Sequence, residues 1–165
     1  DDAARRLQPG SAIYFLMDEN DVQRILSFEE TMIGSDGIPV GAKPHPRLWG
    51  TFPRVLGHYS RDVGLFPLET AVWKMTGLTA RNFGLHGRGT LAAGQHADVV
   101  VFDAATIRDA ATYETPTVAA EGIEAVVVNG AITWQHGAHA GARNGQVIRR
   151  DARGANRGLG AAISR

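Results

Sequence analysis

The stretch "TMIGSDGIP", residues 31 to 39, leads an uncharged run into Ser-Asp-Gly and a proline-bounded loop, so a carboxylate, Asp36, stands where the apolar run stops. By pattern alone, an Asp in Ser-Asp-Gly is a turn former whose carboxylate accepts backbone N–H bonds. The chemical alternative is a general acid/base, because a carboxylate within hydrogen-bond reach of a reacting group can take up a proton and return it. Arg47 closes the tripeptide "HPR" a short way downstream. Its guanidinium is either a solvated loop charge or a planar fork that grips a carboxylate through two parallel hydrogen bonds, which lysine copies poorly. His45, just before Pro46, reads as a loop residue or as a neighbour supporting such a site.

Other arrangements that could do chemistry are weaker. His136 and His139 form a His-x-x-His pair, but in a Gly/Ala-rich stretch where surface histidines are the ordinary reading. Ser35, Asp36 and His45 make no Ser-His-Asp set, since the Gly-x-Ser-x-Gly elbow is missing. "GRGTLA" (87 to 92) imitates a dinucleotide fingerprint, yet it follows a helix-like segment and leads toward a strand-like one, the reverse of what phosphate binding needs. NAD is therefore rejected. Trp49, Trp73 and Trp134 read as packing residues.

The elements that must position Asp36 come before and after it. "SAIYFLM" (11 to 17) is an apolar run between Pro-Gly and an acidic cluster, as expected of a strand covered on both faces. In "DENDVQRILSF", Val22, Ile25 and Leu26 share one helical face behind capping residues. "TMIGS" reads as a second strand. Strand, short helix and strand make a βαβ unit with parallel strands, which puts Asp36 at a carboxyl strand end, where α/β folds place their chemistry. Beyond a Gly/Pro loop, "LWGTFPRVLGHYSRDVG" and "PLETAVWKMTGLTARNFGL" read as helices, with Pro67 in a first turn, stops at Gly77 and Gly84, and a first turn or kink at Pro53. From about residue 86 to 135 the pattern turns to antiparallel β, and Asn129-Gly130 signals a tight hairpin.

Composition sets the bounds. The 165 residues hold 17 Lys plus Arg against 17 Asp plus Glu, so no net field points to nucleic acid or an anionic membrane as partner. A small molecule or a protein fits better. There is no cysteine, which excludes a disulfide framework and a thiolate nucleophile and fits a cytoplasmic protein. No apolar run approaches the roughly 20 residues that span a bilayer, and the start lacks both a signal-peptide pattern and an initiator methionine. Two strands cannot close a barrel, so the sequence reads as the end of a larger fold.

The order of these pieces resembles the C-terminal part of the amidohydrolase superfamily, and specifically the N-acyl-D-amino-acid deacylases, or D-aminoacylases. The residues that carry the resemblance are "IGSDG" (33 to 37), "HPRLWGTFPRVLG" (45 to 57), "LETAVWKMTGLTARNFGL" (68 to 85), "GRGTLAAGQHADVVVFD" (87 to 103) and "GIEAVVVNG" (122 to 130). The "ADVVVFD … VVVNG" part occurs widely among amidohydrolases, whereas "HPR" followed by "GTFPRVLG" is more particular to the deacylases.

The resemblance implies an α/β fold class: the last two βα units of a (β/α)8 metal-dependent hydrolase barrel in residues 1–85, then the C-terminal strands of a small β-sandwich in 86–148; it leaves out 149–165, whose Gly, Ala and Arg with little apolar content read as a flexible tail. Segments 11–17 and 31–36 would be the seventh and eighth barrel strands. Asp36 then takes the place of the family's general acid/base and of a possible weak metal ligand. Arg47 becomes the clamp on the substrate's α-carboxylate. Tyr14 and Met17, otherwise core residues, would face the pocket for the substrate side chain. The implied cofactor is zinc, whose other ligands in the family are a His-x-His pair, a cysteine and two further histidines. With no His-x-His and no Cys here, the implied partners are an N-acyl-D-amino acid substrate and a missing N-terminal portion, and the chain alone would be inactive. Two other readings stay open: a non-catalytic module completing a split barrel, and a different amidohydrolase such as a cyclic amidase.

Overall fold

Asp18 opens the first helix, α1 (Glu19–Ser27), by accepting the Asn20 backbone N–H at 2.8 Å, while Glu19 and Asp21 complement the positive end of the helix dipole. Val22 and Leu26 turn toward the core, as their spacing predicts. The computed structural model describes residues 13–150 and 156–158.

On either side of α1 the structure corrects the sequence-based expectation. Residues 13–17 and 31–36 form no ladder among the described residues, and residues 11 and 12 lie outside them. A strand exists only through hydrogen bonds to a neighbouring strand. Here the backbone of 31–33 bonds elsewhere: Thr31 N–H donates to Phe28 O at 3.0 Å and Ile33 N–H to Lys74 O at 3.3 Å. Tyr14, Phe15, Leu16 and Met17 are all more than two-thirds exposed, so this apolar run has neither covering layer that a buried parallel strand requires.

The expected helices are present. α2 (Arg47–Arg54) continues into a wider π-helical stretch, Val55–Asp62, just after Pro53, which contributes no N–H to the ladder. α3 (Leu68–Met75) follows Pro67 and gives way at Thr76 to α4 (Gly77–Phe83), which ends on Gly84 with φ 65°. β1 (Val99–Phe102), β2 (Ile123–Val128), β3 (Ala131–Gln135) and β4 (Ala138–His139) form one antiparallel sheet in that order. Asn129 and Gly130 make the two-residue turn between β2 and β3 with φ 46° and 80°, the positive pair that a type I′ hairpin needs.

One apolar cluster joins the helices to the sheet. Val55, Leu56, Tyr59, Phe66 and Ala71 surround Ile107, which is fully buried and comes from the connection between β1 and β2, with Phe102 and Ile123 at its edge. The approach is close enough that only glycine fits at position 57, where an added Cβ would lie 2.3 Å from Ile107 O. Arg61 secures the same connection by donating to Ile107 O at 2.7 Å.

Of the segment 149–165, expected as a flexible tail, most lies outside the described residues; the described part pairs as an antiparallel ribbon, β5 (Ile148–Arg150) with β6 (Asn156–Gly158). Among the described residues no helix is long and apolar enough to cross a membrane. Gly57→Ala should destabilise the chain by about 1–3 kcal/mol through forced separation at Ile107, whereas Gly145→Ala, where nothing lies within 4 Å, should fall within about 0.5 kcal/mol of the parent. Thermal unfolding of the two variants checks this.

Candidate functional site

Asp36 adopts φ 47°, the left-handed region that a non-glycine residue enters at a cost of about 1 kcal/mol, Asp being one of the residues that tolerates it. The turn around it is held by side chains. Gly37 N–H donates to Ser35 Oγ at 3.2 Å, and Thr51 Oγ1 in α2 reaches Ser35 O at 3.4 Å. Arg47, the first residue of α2, closes on Asp36 twice: Nε–H donates to Asp36 O at 2.7 Å and Nη2 lies 2.8 Å from Asp36 Oδ2. The two candidate residues thus share one ion pair. The pair is open to solvent, with the Asp36 side chain 76% and the Arg47 side chain 38% exposed, so its worth is about 0–1 kcal/mol. A carboxylate arriving from solution can displace it.

His45 belongs to the same corner. Its Nδ1 accepts the Arg47 backbone N–H at 3.0 Å, which leaves Nε2 as the protonated nitrogen of the neutral ring. Burial lowers its pKa below 6.5, the Arg47 charge lowers it further, and the Asp36 carboxylate opposes both. The ring packs edge-on against Tyr113 at 5.3 Å, and Tyr113 in turn meets Phe15 at 5.0 Å. Below this aromatic stack lies a cleft of about 280 Å³, lined among others by His45, Arg47, Thr51, Arg54, Asp109 and Tyr113. Arg54 pairs with Asp109 at 3.3 Å; burial works against its charge, but Asp109 and Tyr59 outweigh it and raise its pKa.

Asp36, Arg47 and His45 come together as the sequence suggests. Tyr14 and Met17 do not line the cleft and are 76% and 69% exposed; their neighbour Phe15 is the residue that reaches Tyr113. His136 sits in the turn after β3, and His139 Nδ1 accepts the Gly141 N–H at 2.9 Å, so neither approaches the corner as a ligand set. Arg88 of "GRGTLA" pairs with Asp98 and donates to Asn129 Oδ1 at 3.1 Å, serving the β2–β3 turn. Tyr113 and Asp109 were invisible beforehand because "DAATYETPT" carries no periodicity; only their contacts reveal them. Among the described residues there is no group of three or more His, Cys, Asp and Glu side chains able to hold a metal ion.

The family model described as "Amidohydrolase family" matches residues 3–134. The chain belongs to the amidohydrolase family. It is 66% identical over 151 residues to a D-aminoacylase of Alcaligenes xylosoxydans xylosoxydans, covering 92% of this chain and 31% of that relative. It is 58% identical to an N-acyl-D-glutamate deacylase of the same organism, covering 91% of this chain and 30% of the relative. A solved D-aminoacylase structure, described with a binuclear metal centre, superposes with a TM-score of 0.81 at 65% identity over 86% of this chain and 30% of its own. An N-acyl-D-glutamate deacylase from Bordetella bronchiseptica, complexed with zinc and a phosphonate inhibitor, gives 0.78 at 54% identity over 83% of this chain and 29% of its own. The chain spans about 30% of the length of the curated relatives it matches.

In this chain, His45 titrates below 6.5 in the folded state, so the unfolded chain takes up the proton first on acidification. The stability that His45 contributes is complete above 6.5 and is lost as pH falls through its lowered folded value. Arg47→Ala should raise the His45 pKa and Asp36→Ala should lower it, each read from the histidine ring shifts in an NMR titration; the opposite order would contradict the placement.

Proposed function

We propose that the chain is the C-terminal part of a zinc-dependent amidohydrolase that hydrolyses N-acyl-D-amino acids to a carboxylate and a free D-amino acid. Residues 1–85 would contribute the last two βα units of the barrel and residues 86–148 the last strands of a small β-sandwich. The exposed apolar run 13–17 supports this, since it has the composition of a buried strand and no cover of its own. The observation that carries the proposal is the pairing of Asp36 with Arg47 beside an open cleft.

In the reaction, Arg47 exchanges Asp36 for the substrate's α-carboxylate. The exchange is feasible because the exposed pair is worth only about 0–1 kcal/mol, so little is lost when a substrate carboxylate takes its place. Its released carboxylate partner is then free to take a proton from the attacking water and to deliver it to the amine nitrogen as the amide bond breaks. The same clamp helps to fix the stereocentre, because with the carboxylate held at two points the contacts made by the acyl group and the side chain decide between the enantiomers. Phe15 and Tyr113 offer apolar surface next to it, and Tyr14 and Met17 would join that wall once 13–17 is covered.

The described residues do not fit a zinc site by themselves. Asp36 is the one side chain here that we assign any contact to the ion, and the principal ligands would come from a preceding portion of the same protein. No step above runs through the metal.

The experiment is kinetic and uses a protein of the relatives' full length carrying this segment. Asp36→Asn should reduce kcat about 10²–10⁴-fold on N-acetyl-D-methionine with little change in KM. Arg47→Lys should mainly raise KM, by about tenfold or more, since it keeps the charge and loses the fork. Equal rates with Arg47→Ala would point to a cyclic amide, which has no free α-carboxylate; full activity with Asp36→Asn would overturn the acid/base assignment.

A further inference from the structure

Lys74 is among the largest fully buried side chains of the described residues, at 1% exposed, and nothing in the proposed reaction uses it. A buried ammonium is costly unless every donor is met. Here each one is: Nζ donates to Phe28 O at 2.5 Å, Glu29 O at 3.3 Å and Thr31 O at 3.3 Å, with the Phe66 ring centroid 6.0 Å away. Burial lowers its pKa from the ordinary lysine value, and Glu29 and Glu30 oppose the change. The lysine's own carbonyl accepts the Ile33 N–H at 3.3 Å and the Thr79 hydroxyl at 3.0 Å. One residue of α3 therefore grips the strandless segment 28–33 at four backbone positions.

That segment feeds directly into the site. Only Gly34 and Ser35 separate Ile33 from Asp36, whose left-handed turn is fixed on its far side by Arg47 and Thr51. A slip of the upstream anchor by one residue, about 3.3 Å in extended chain, would carry Asp36 out of reach of a guanidinium that now sits 2.8 Å away.

We infer that Lys74 is a positioning residue: by holding the carbonyls of 28–31 and the N–H of Ile33 it sets the point from which the chain delivers Asp36 to Arg47. This role rests on the reading of Asp36 and Arg47 as the working pair, but its test reads geometry and not activity, so either can fail without the other.

Lys74→Met keeps an unbranched stem and removes the ammonium. In isotope-labelled chain, the Arg47 Nε–H, which donates to Asp36 O, should exchange with solvent about tenfold faster or more in this variant, while the β2 and β3 amides keep their parent shifts. Lys74→Ala supplied with n-propylammonium should recover slow exchange, and n-propanol of similar volume should not. The role is overturned if the Arg47 Nε–H exchange is unchanged in Lys74→Met, or if the β2 and β3 amides are lost with it, which would make Lys74 a support of the whole fold. It is equally overturned if the alcohol rescues as well as the amine, or if neither does.

Discussion

The structure around the site depends on one guanidinium that is asked to hold two different parts of the same residue. Arg47 binds the carbonyl and the carboxylate of Asp36. The first bond supports a left-handed backbone at Asp36, and the second holds its carboxylate, which forms no other ion pair among the described residues. Because the two bonds come from different nitrogens, the carboxylate can be released while Nε keeps the turn in place. An exposed ion pair of small net worth suits the change of partners that we propose for it.

The remainder of the fold keeps that corner still. α2 begins at Arg47, so the clamp sits on the first turn of a helix whose continuation packs into the cluster around Ile107. The sheet reaches back through the same residue, and Gly57 permits the contact. From the other direction Lys74 fixes the chain that arrives at Asp36. Between these two anchored bodies the 31–37 segment has no ladder of its own, and its shape is set by side chains gripping its backbone.

How much of this was legible in the sequence follows from where each element gets its hydrogen bonds. Helices satisfy their backbone within one segment, so α1 with its acidic cap and the stop at Gly84 could be read from spacing alone, whereas the break expected at Gly77 falls at Thr76 and Gly77 opens the next helix. The Asn129-Gly130 hairpin was equally local. Residues 13–17 and 31–36 are rich in strand-forming side chains, but a strand depends on hydrogen bonds to a neighbour, and among the described residues they have none. Within the site, Asp36, Arg47 and His45 carried motif-like neighbours. Lys74 carried none, since a lysine in "ETAVWKMTG" looks like a solvated helix residue until its three carbonyl partners are seen. Tyr113 and Asp109 came from an aperiodic loop and were missed for the same reason.

The central claim is that Arg47 exchanges the Asp36 carboxylate for the carboxylate of the substrate, and binding measurements on a protein of the relatives' full length test it most directly. A non-hydrolysable N-acyl-D-amino-acid analogue should bind about 10–100-fold more tightly than its methyl ester, which offers the clamp no charge, and the difference should vanish in Arg47→Ala. Equal affinity of acid and ester for the unmutated protein would contradict the exchange.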